Sequence, residues 1–138
     1  MMDAEWLRKI CLAFPSTTEQ IQWGYDLVFK VGGKMFAVAP LEPAPVCLSF
    51  KCSDESFAEL TERPQIIPAP YMARAKWVAL ESPEVISRAE LAELLRASHQ
   101  MVFAKLPKRV QAELSAKPAA AKKATSKVAG KAKRSKKN

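Results

Sequence analysis

Apolar residues recur at helical spacing at the start of the chain. Trp6, Leu7, Ile10, Cys11 and Phe14 fall on one side of a helix over residues 4–14, with Asp3 placed to cap it and Pro15 to end it. The period then changes. A short strand is expected near residues 19–23, and YDLVFKV and KMFAVA follow as two β-rich runs on either side of Gly32-Gly33. A glycine pair supplies the positive φ angles of a two-residue hairpin turn. Such a turn sets Val31 opposite Lys34, Phe29 opposite Phe36 and Leu27 opposite Val38. Tyr25, Leu27, Phe29, Phe36 and Val38 then share the core face, while Asp26, Val28, Lys30, Met35 and Ala37 take the other.

The proline-rich PLEPAP is a loop. Residues 46–51 read as a third long strand, with Val46, Leu48 and Phe50 inward and Cys47, Ser49 and Lys51 outward. Ser53 can cap a second helix that carries Phe57 and Leu60 and stops at Pro64. Residues 64–74, with Pro64, Pro68 and Pro70, are expected to form an ordered but irregular loop, and 75–81 another strand. Ser87-Arg88-Ala89-Glu90 is a capping box. The long helix behind it buries Leu91, Leu94, Leu95, Ser98, Met101 and Val102, and Pro107 ends it or starts a short one running to Leu114. The expected fold is α+β: a two-layer sandwich of an antiparallel sheet with helices on one face, in the order α-β-β-β(-β)-α-β-α.

Charge divides the chain in two. Residues 116–138 hold eight lysines, one arginine and no acid, while residues 1–115 hold 13 basic and 14 acidic residues. The net charge of +8 is therefore a +9 tail on a nearly neutral body. Residues 1–115 are expected to fold as one domain and 116–138, without large apolar side chains, to be disordered alone. No apolar run is long enough to span a bilayer, and MMDAEWLRKI lacks the layout of a signal peptide. A cytoplasmic, bacterial protein that is monomeric and does not engage membranes is expected. Cys11, Cys47 and Cys52 have no disulfide-framework spacing and are expected as reduced thiols, with Cys47 and Cys52 on opposite faces of one strand.

WGYDLVFKVGGKMFAV, LSFK, PAPYMARAKWVAL and ELLRASHQMVFAKLPKR together resemble the MmcQ/YjbR-like family of small bacterial proteins, in the family's own order over about residues 5–110. That resemblance implies a two-layer α+β fold similar to type III secretion chaperones and likened to the frataxin-like CyaY. It also implies DNA binding through protruding β-hairpins, a double wing. The tail lies outside the resemblance and is similar in style to histone H1-like tails. His99 is a departure, since many relatives carry Tyr there.

The candidate nucleic-acid contacts are Lys30 and Lys34 beside the hairpin tip, Lys51 on the outward face of the next strand, and Arg74 and Lys76. In the tail they are Lys117, Lys122, Lys123, Lys127, Lys131, Lys133, Arg134, Lys136 and Lys137. Lysines meet phosphates and release counterions, yet lysines on a sheet also serve only to guard its edges. Tyr71 and Trp77, in a loop stiffened by prolines, are candidates for a second wing or the rim of a small-ligand site, or for a seal over the sheet edge. His99 has no accompanying catalytic cluster and reads as a partly buried structural histidine. Lys105, Lys108 and Arg109 complement a helix dipole without any ligand. Neither a phosphate-loop glycine motif nor a zinc-ligand spacing is present, so no cofactor, metal or enzyme activity is expected.

Two function classes remain. One is a non-specific or weakly specific DNA-binding protein, nucleoid-associated, in which the tail supplies phosphate affinity and the hairpin wings supply shape. The other is a small-ligand or protein-binding module that the tail tethers near the nucleoid. Convergence of Lys30, Lys34, Lys51, Arg74 and Lys76 favours the first; a deep apolar pocket at Tyr71 and Trp77 favours the second.

Overall fold

The computed structural model describes residues 3–70 and 72–115. The elements run α1 (Ala4–Cys11), β1 (Thr17–Gln22), β2 (Asp26–Val31), β3 (Lys34–Pro40), β4 (Leu48–Lys51), α2 (Asp54–Leu60), β5 (Ile66–Pro68), β6 (Trp77–Leu80), α3 (Arg88–Ala104) and α4 (Lys108–Ser115). The strands form one antiparallel sheet in the order β1-β2-β3-β4-β6-β5. Helix α3 crosses β2, β3 and β4, α1 packs on α3, and α2 covers β5 and β6. This is a two-layer α+β fold. The expectation of a disordered tail concerns residues outside those described.

Local chemistry starts the helices. The Asp3 carboxylate accepts from the Trp6 amide, the Ser53 hydroxyl from Ser56 and the Ser87 hydroxyl from Glu90. The capping box at Ser87 is completed differently than expected. Both Glu90 carboxylate oxygens accept from Arg63, at 3.1 and 2.7 Å, which ties the start of α3 to the end of α2.

One apolar layer lies between sheet and helices, built on Leu7, Phe29, Phe36, Leu48, Phe50, Leu60, Leu91 and Leu95. Each buried phenylalanine or leucine contributes on the order of 1.5–3 kcal/mol of transfer free energy. A smaller cluster sits on the outer face of the sheet, where Ala69, Trp77 and Ala79 pack with Met35, Val38, Ile67 and Met72.

The hairpin register matches expectation at its tip and departs beyond it. Val31 faces Lys34 and Lys30 faces Met35, but Phe29 faces Ala37 and Val28 faces Val38. The extra residue on β3 is a β-bulge at Phe36. Ala37 and Ala39 thereby join Leu27 and Phe29 on the helix side, and Val38 turns to the outer face. Tyr25 leaves the expected core altogether and is 60% exposed in the turn between β1 and β2.

Two further expectations are corrected. The loop over 64–74 contains β5, whose Ile66 and Ile67 pair with Leu80 and Ala79; Pro68 is tolerated because β5 is an edge strand. Cys47 and Cys52 both contact the main core, because regular alternation spans only Leu48–Lys51 between them. All three thiols are free.

Candidate nucleic-acid interface

Strand direction gathers the cations that the chain scatters. Lys30 and Lys34 flank the Gly32-Gly33 turn, where both glycines have positive φ, 60° and 80°. Strand β4 runs antiparallel to β3 with Phe50 opposite Ala37, so Lys51 at its end lies toward the same tip. Trp77 faces Lys51 across β6, which brings Lys76 and Arg74, just before it, to that end as well. The Lys51 ammonium donates to the Ala75 carbonyl at 2.9 Å, and the Lys76 ammonium stands 5.0 Å from the centre of the Phe57 ring. At this pole Lys51 and Lys76 are thus turned to different neighbours.

The pole extends into the helix layer. Leu106, in the corner between α3 and α4, lies against Gly32 so closely that a Cβ there would come within 2.5 Å of its Cδ1. That contact carries Lys105, Lys108 and Arg109 to the hairpin tip. Burial, and then the neighbouring Lys105 ammonium, push the Lys51 pKa below the ordinary lysine value. In the sequence these three cations suit a helix dipole as well as they suit a ligand. Leu106, an isolated large apolar residue among them and 6% exposed, was the available signal that the corner is tucked against the sheet.

The paired arginines lie away from this pole. Arg8 forms a two-point pair with Glu19 at 2.8 Å, Arg63 binds Glu59 and Glu90, and Arg96 approaches Glu93 at 3.9 Å. Among the described residues, Lys30, Lys34, Lys51, Arg74, Lys76, Lys105, Lys108 and Arg109 form no ion pair. The acids at this pole include Asp54 and Glu55 in the first turn of α2 and Glu113 in α4, and Asp54 favours the charged form of Lys51. The end of α4 is at the same pole: the Ser16 hydroxyl donates to the Leu114 carbonyl at 3.4 Å, and Thr17 next to it pairs with Val31. The described chain thus ends, at Ser115, beside the hairpin tip. The tail candidates Lys117 to Lys137 lie outside the described residues.

The other candidates sit differently. Trp77 is 5% exposed and covers the outer face of the sheet with Ala69 and Ala79, so it is a seal and not a rim; Tyr71 lies outside the described residues. A groove of about 320 Å³ lies between α2 and α3, lined by Cys52, Ser53, Ser56, Leu94, Ala97 and Met101, on the helix side of the sheet and not on the face that Trp77 covers. Its one thiol is a poor nucleophile, because burial pushes the Cys52 pKa up to about 11. Burial likewise takes Cys11 to about 12 and raises Cys47.

His99 is more buried than expected, at 5% exposure. Its ring lies among Phe14, Phe36 and Phe103, and Nε2–H donates to the Pro15 carbonyl at 2.8 Å. Burial lowers its pKa, more than the hydrogen bond to Pro15 raises it. The ring is neutral at pH 7 and fastens the segment that follows α1 to α3. Among the described residues, no three His, Cys, Asp or Glu side chains are grouped as metal ligands, and no helix is long and apolar enough to cross a membrane.

Known structures share this architecture. A Deinococcus radiodurans protein with the family domain DUF419 superposes with a TM-score of 0.75 at 31% identity, over 83% of this chain and 89% of its own. A Pseudomonas syringae protein, 19% identical, shares the fold with a TM-score of 0.59 over 73% of this chain and 99% of its own. None of the curated proteins matches the chain. The YjbR family model matches residues 12–101, from the end of α1 to the last turn of α3, and the chain belongs to that family.

Proposed function

We propose that the protein binds nucleic acid, duplex DNA foremost, through phosphate contacts that are non-specific or weakly specific in sequence. The tail supplies most of the affinity and the cationic pole around the Gly32-Gly33 hairpin supplies a rigid second contact. One observation carries this reading: the last described residues, after which the tail begins, lie at the pole whose lysines and arginines form no ion pair among the described residues. Tail and pole can therefore neutralise neighbouring phosphates of one duplex. Each such contact releases counterions, and two linked contacts reinforce each other by effective concentration. Flexible lysines read phosphate and not base edges, which accounts for low specificity. The nucleoid is the natural place for such a protein. The reading carries no catalytic step, in keeping with the high thiol pKa values and a neutral, hydrogen-bonded His99.

The test uses fluorescence anisotropy of a labelled duplex at low salt, with the full chain and with a variant carrying Lys30→Gln, Lys34→Gln, Lys108→Gln and Arg109→Gln. The variant is expected to melt like the parent and to bind several-fold more weakly. Equal binding would remove the pole from the interface. Absence of binding by the full chain would overturn the whole reading.

A further inference from the structure

The two edges of the sheet are protected very differently. On one side, β5 has three residues, ends in Pro68 and follows Pro64, so little of it can accept another strand. On the other, β1 presents six residues, TTEQIQ, without lysine or proline. Its single charge, Glu19, is already held by Arg8 in a two-point pair at 2.8 Å. Strand β1 pairs with β2 only, and no other backbone partner is recorded for residues 18–22 among the described residues. Natural edge strands normally carry a device against strand addition; on β1 the one such device is Glu19, and its charge is already compensated by Arg8.

Beside this edge lies an unusual concentration of exposed apolar surface. Ile21 is 59% exposed, Trp23 65% and Tyr25 60%, with Leu41 at 42% joined to the same turn by its N–H, which donates to the Tyr25 carbonyl at 2.7 Å. Trp23 also holds φ at 52°, in the left-handed region that a bulky side chain rarely adopts. A strained backbone that displays a tryptophan to solvent is the kind of outlier from which function is inferred. Aromatic residues of this type anchor protein interfaces.

We propose that β1 is the interface between two copies of this chain, paired antiparallel about a two-fold axis at Gln20. In that register Gln20 faces its own copy, Thr18 faces Gln22 and Ile21 faces Glu19, whose charge Arg8 already neutralises. No like charges stand directly opposite, which identical strands require if they are to pair. Ile21, Trp23 and Tyr25 of each copy then close over the ends of the joint. A two-fold pairing is self-complementary and finite, so the exposed edge is used up and does not propagate into fibres. The interface lies on the sheet edge and does not depend on the nucleic-acid reading.

Sedimentation velocity of the full chain across a concentration series, in salt high enough to screen the tail, tests this directly. A concentration-dependent dimer is expected. Gln20→Lys places two lysines opposite each other at the axis, and Trp23→Asn removes the anchor while suiting the left-handed backbone. Each is expected to weaken the dimer about tenfold or more, with the Trp23→Asn chain melting no lower than the parent. A chain that stays monomeric throughout overturns the proposal, as does a dimer that neither substitution weakens.

Discussion

Replacing Gly32 should cost more than replacing Gly33, although the two are neighbours in one turn with similar φ. At both positions a side chain meets the left-handed backbone penalty, about 1–2 kcal/mol. At Gly33 that is all, since nothing lies within 4 Å of the new Cβ. At Gly32 the Cβ would come 2.5 Å from Leu106 Cδ1 and 3.0 Å from Cδ2. Leu106 is 6% exposed and must rotate within a packed corner, which adds about 1 kcal/mol or more. Gly33→Ala is therefore expected to lose about 1–2 kcal/mol and Gly32→Ala about 2–3 kcal/mol. For a domain of this size that is a difference of roughly 4 °C or more in Tm. Urea melts of both variants and of Leu106→Ala, alone and combined with Gly32→Ala, measure it. In the double mutant the added cost of Gly32→Ala should fall to that of Gly33→Ala. Equal costs for the two single variants, or no coupling to Leu106, would refute the contact that joins the hairpin tip to the α3–α4 corner.

Other outcomes follow from the buried and charged groups. Glu90 is held below its ordinary pKa of 4.5 by the Arg63 guanidinium. A lowered carboxylate stabilises above the ordinary value, so Glu90→Gln should cost about 0.5–1 kcal/mol near pH 7. That gap should close as pH falls below about 4.5; a constant gap in acid melts would deny the pair. His99, lowered from 6.5 by burial, prefers the neutral form in the fold. Its stabilisation should be full above about pH 6.5 and drain as pH falls toward its lowered value. A His99→Tyr chain should lack that loss between pH 7 and 5, as followed by thermal melts, and an identical decline would place the titration elsewhere. Residues 1–115 should unfold cooperatively with a Tm close to that of the full chain, because both apolar clusters close within them; a large drop would show that the tail packs on the domain.

What could be read from the chain was what local chemistry decides. Asp3, Ser53 and Ser87 cap helices with their own side chains, and Gly32-Gly33 forms a turn whose φ angles exclude most other residues. The bulge at Phe36 was not legible, because alternation in KMFAVA is compatible with either register and packing under α3 decides between them. Strand β5 was hidden by its prolines, which weaken propensity without forbidding an edge. Trp77 read as part of a wing, a rim or a seal over the sheet edge, and its pairing with Lys51 and packing with Ala69, which the sequence does not show, select the seal. The cationic pole was half legible. Lys30, Lys34 and Lys51 follow from strand order, whereas Lys105, Lys108 and Arg109 arrive only through the contact of Leu106 with Gly32.

In the proposed function tail and pole bind one polyanion, with the tail dominant. The most direct test is the affinity of the full chain and of residues 1–115 for duplexes of two unrelated sequences across a salt series. For the full chain, log K should fall with log salt at about −0.9 per phosphate contact, so about five contacts give a slope near −4 to −5. Both sequences should behave alike, and the truncated chain should retain only weak binding with a shallower slope. Tight, salt-insensitive or sequence-specific binding by residues 1–115 would contradict the account, as would the absence of binding by either form.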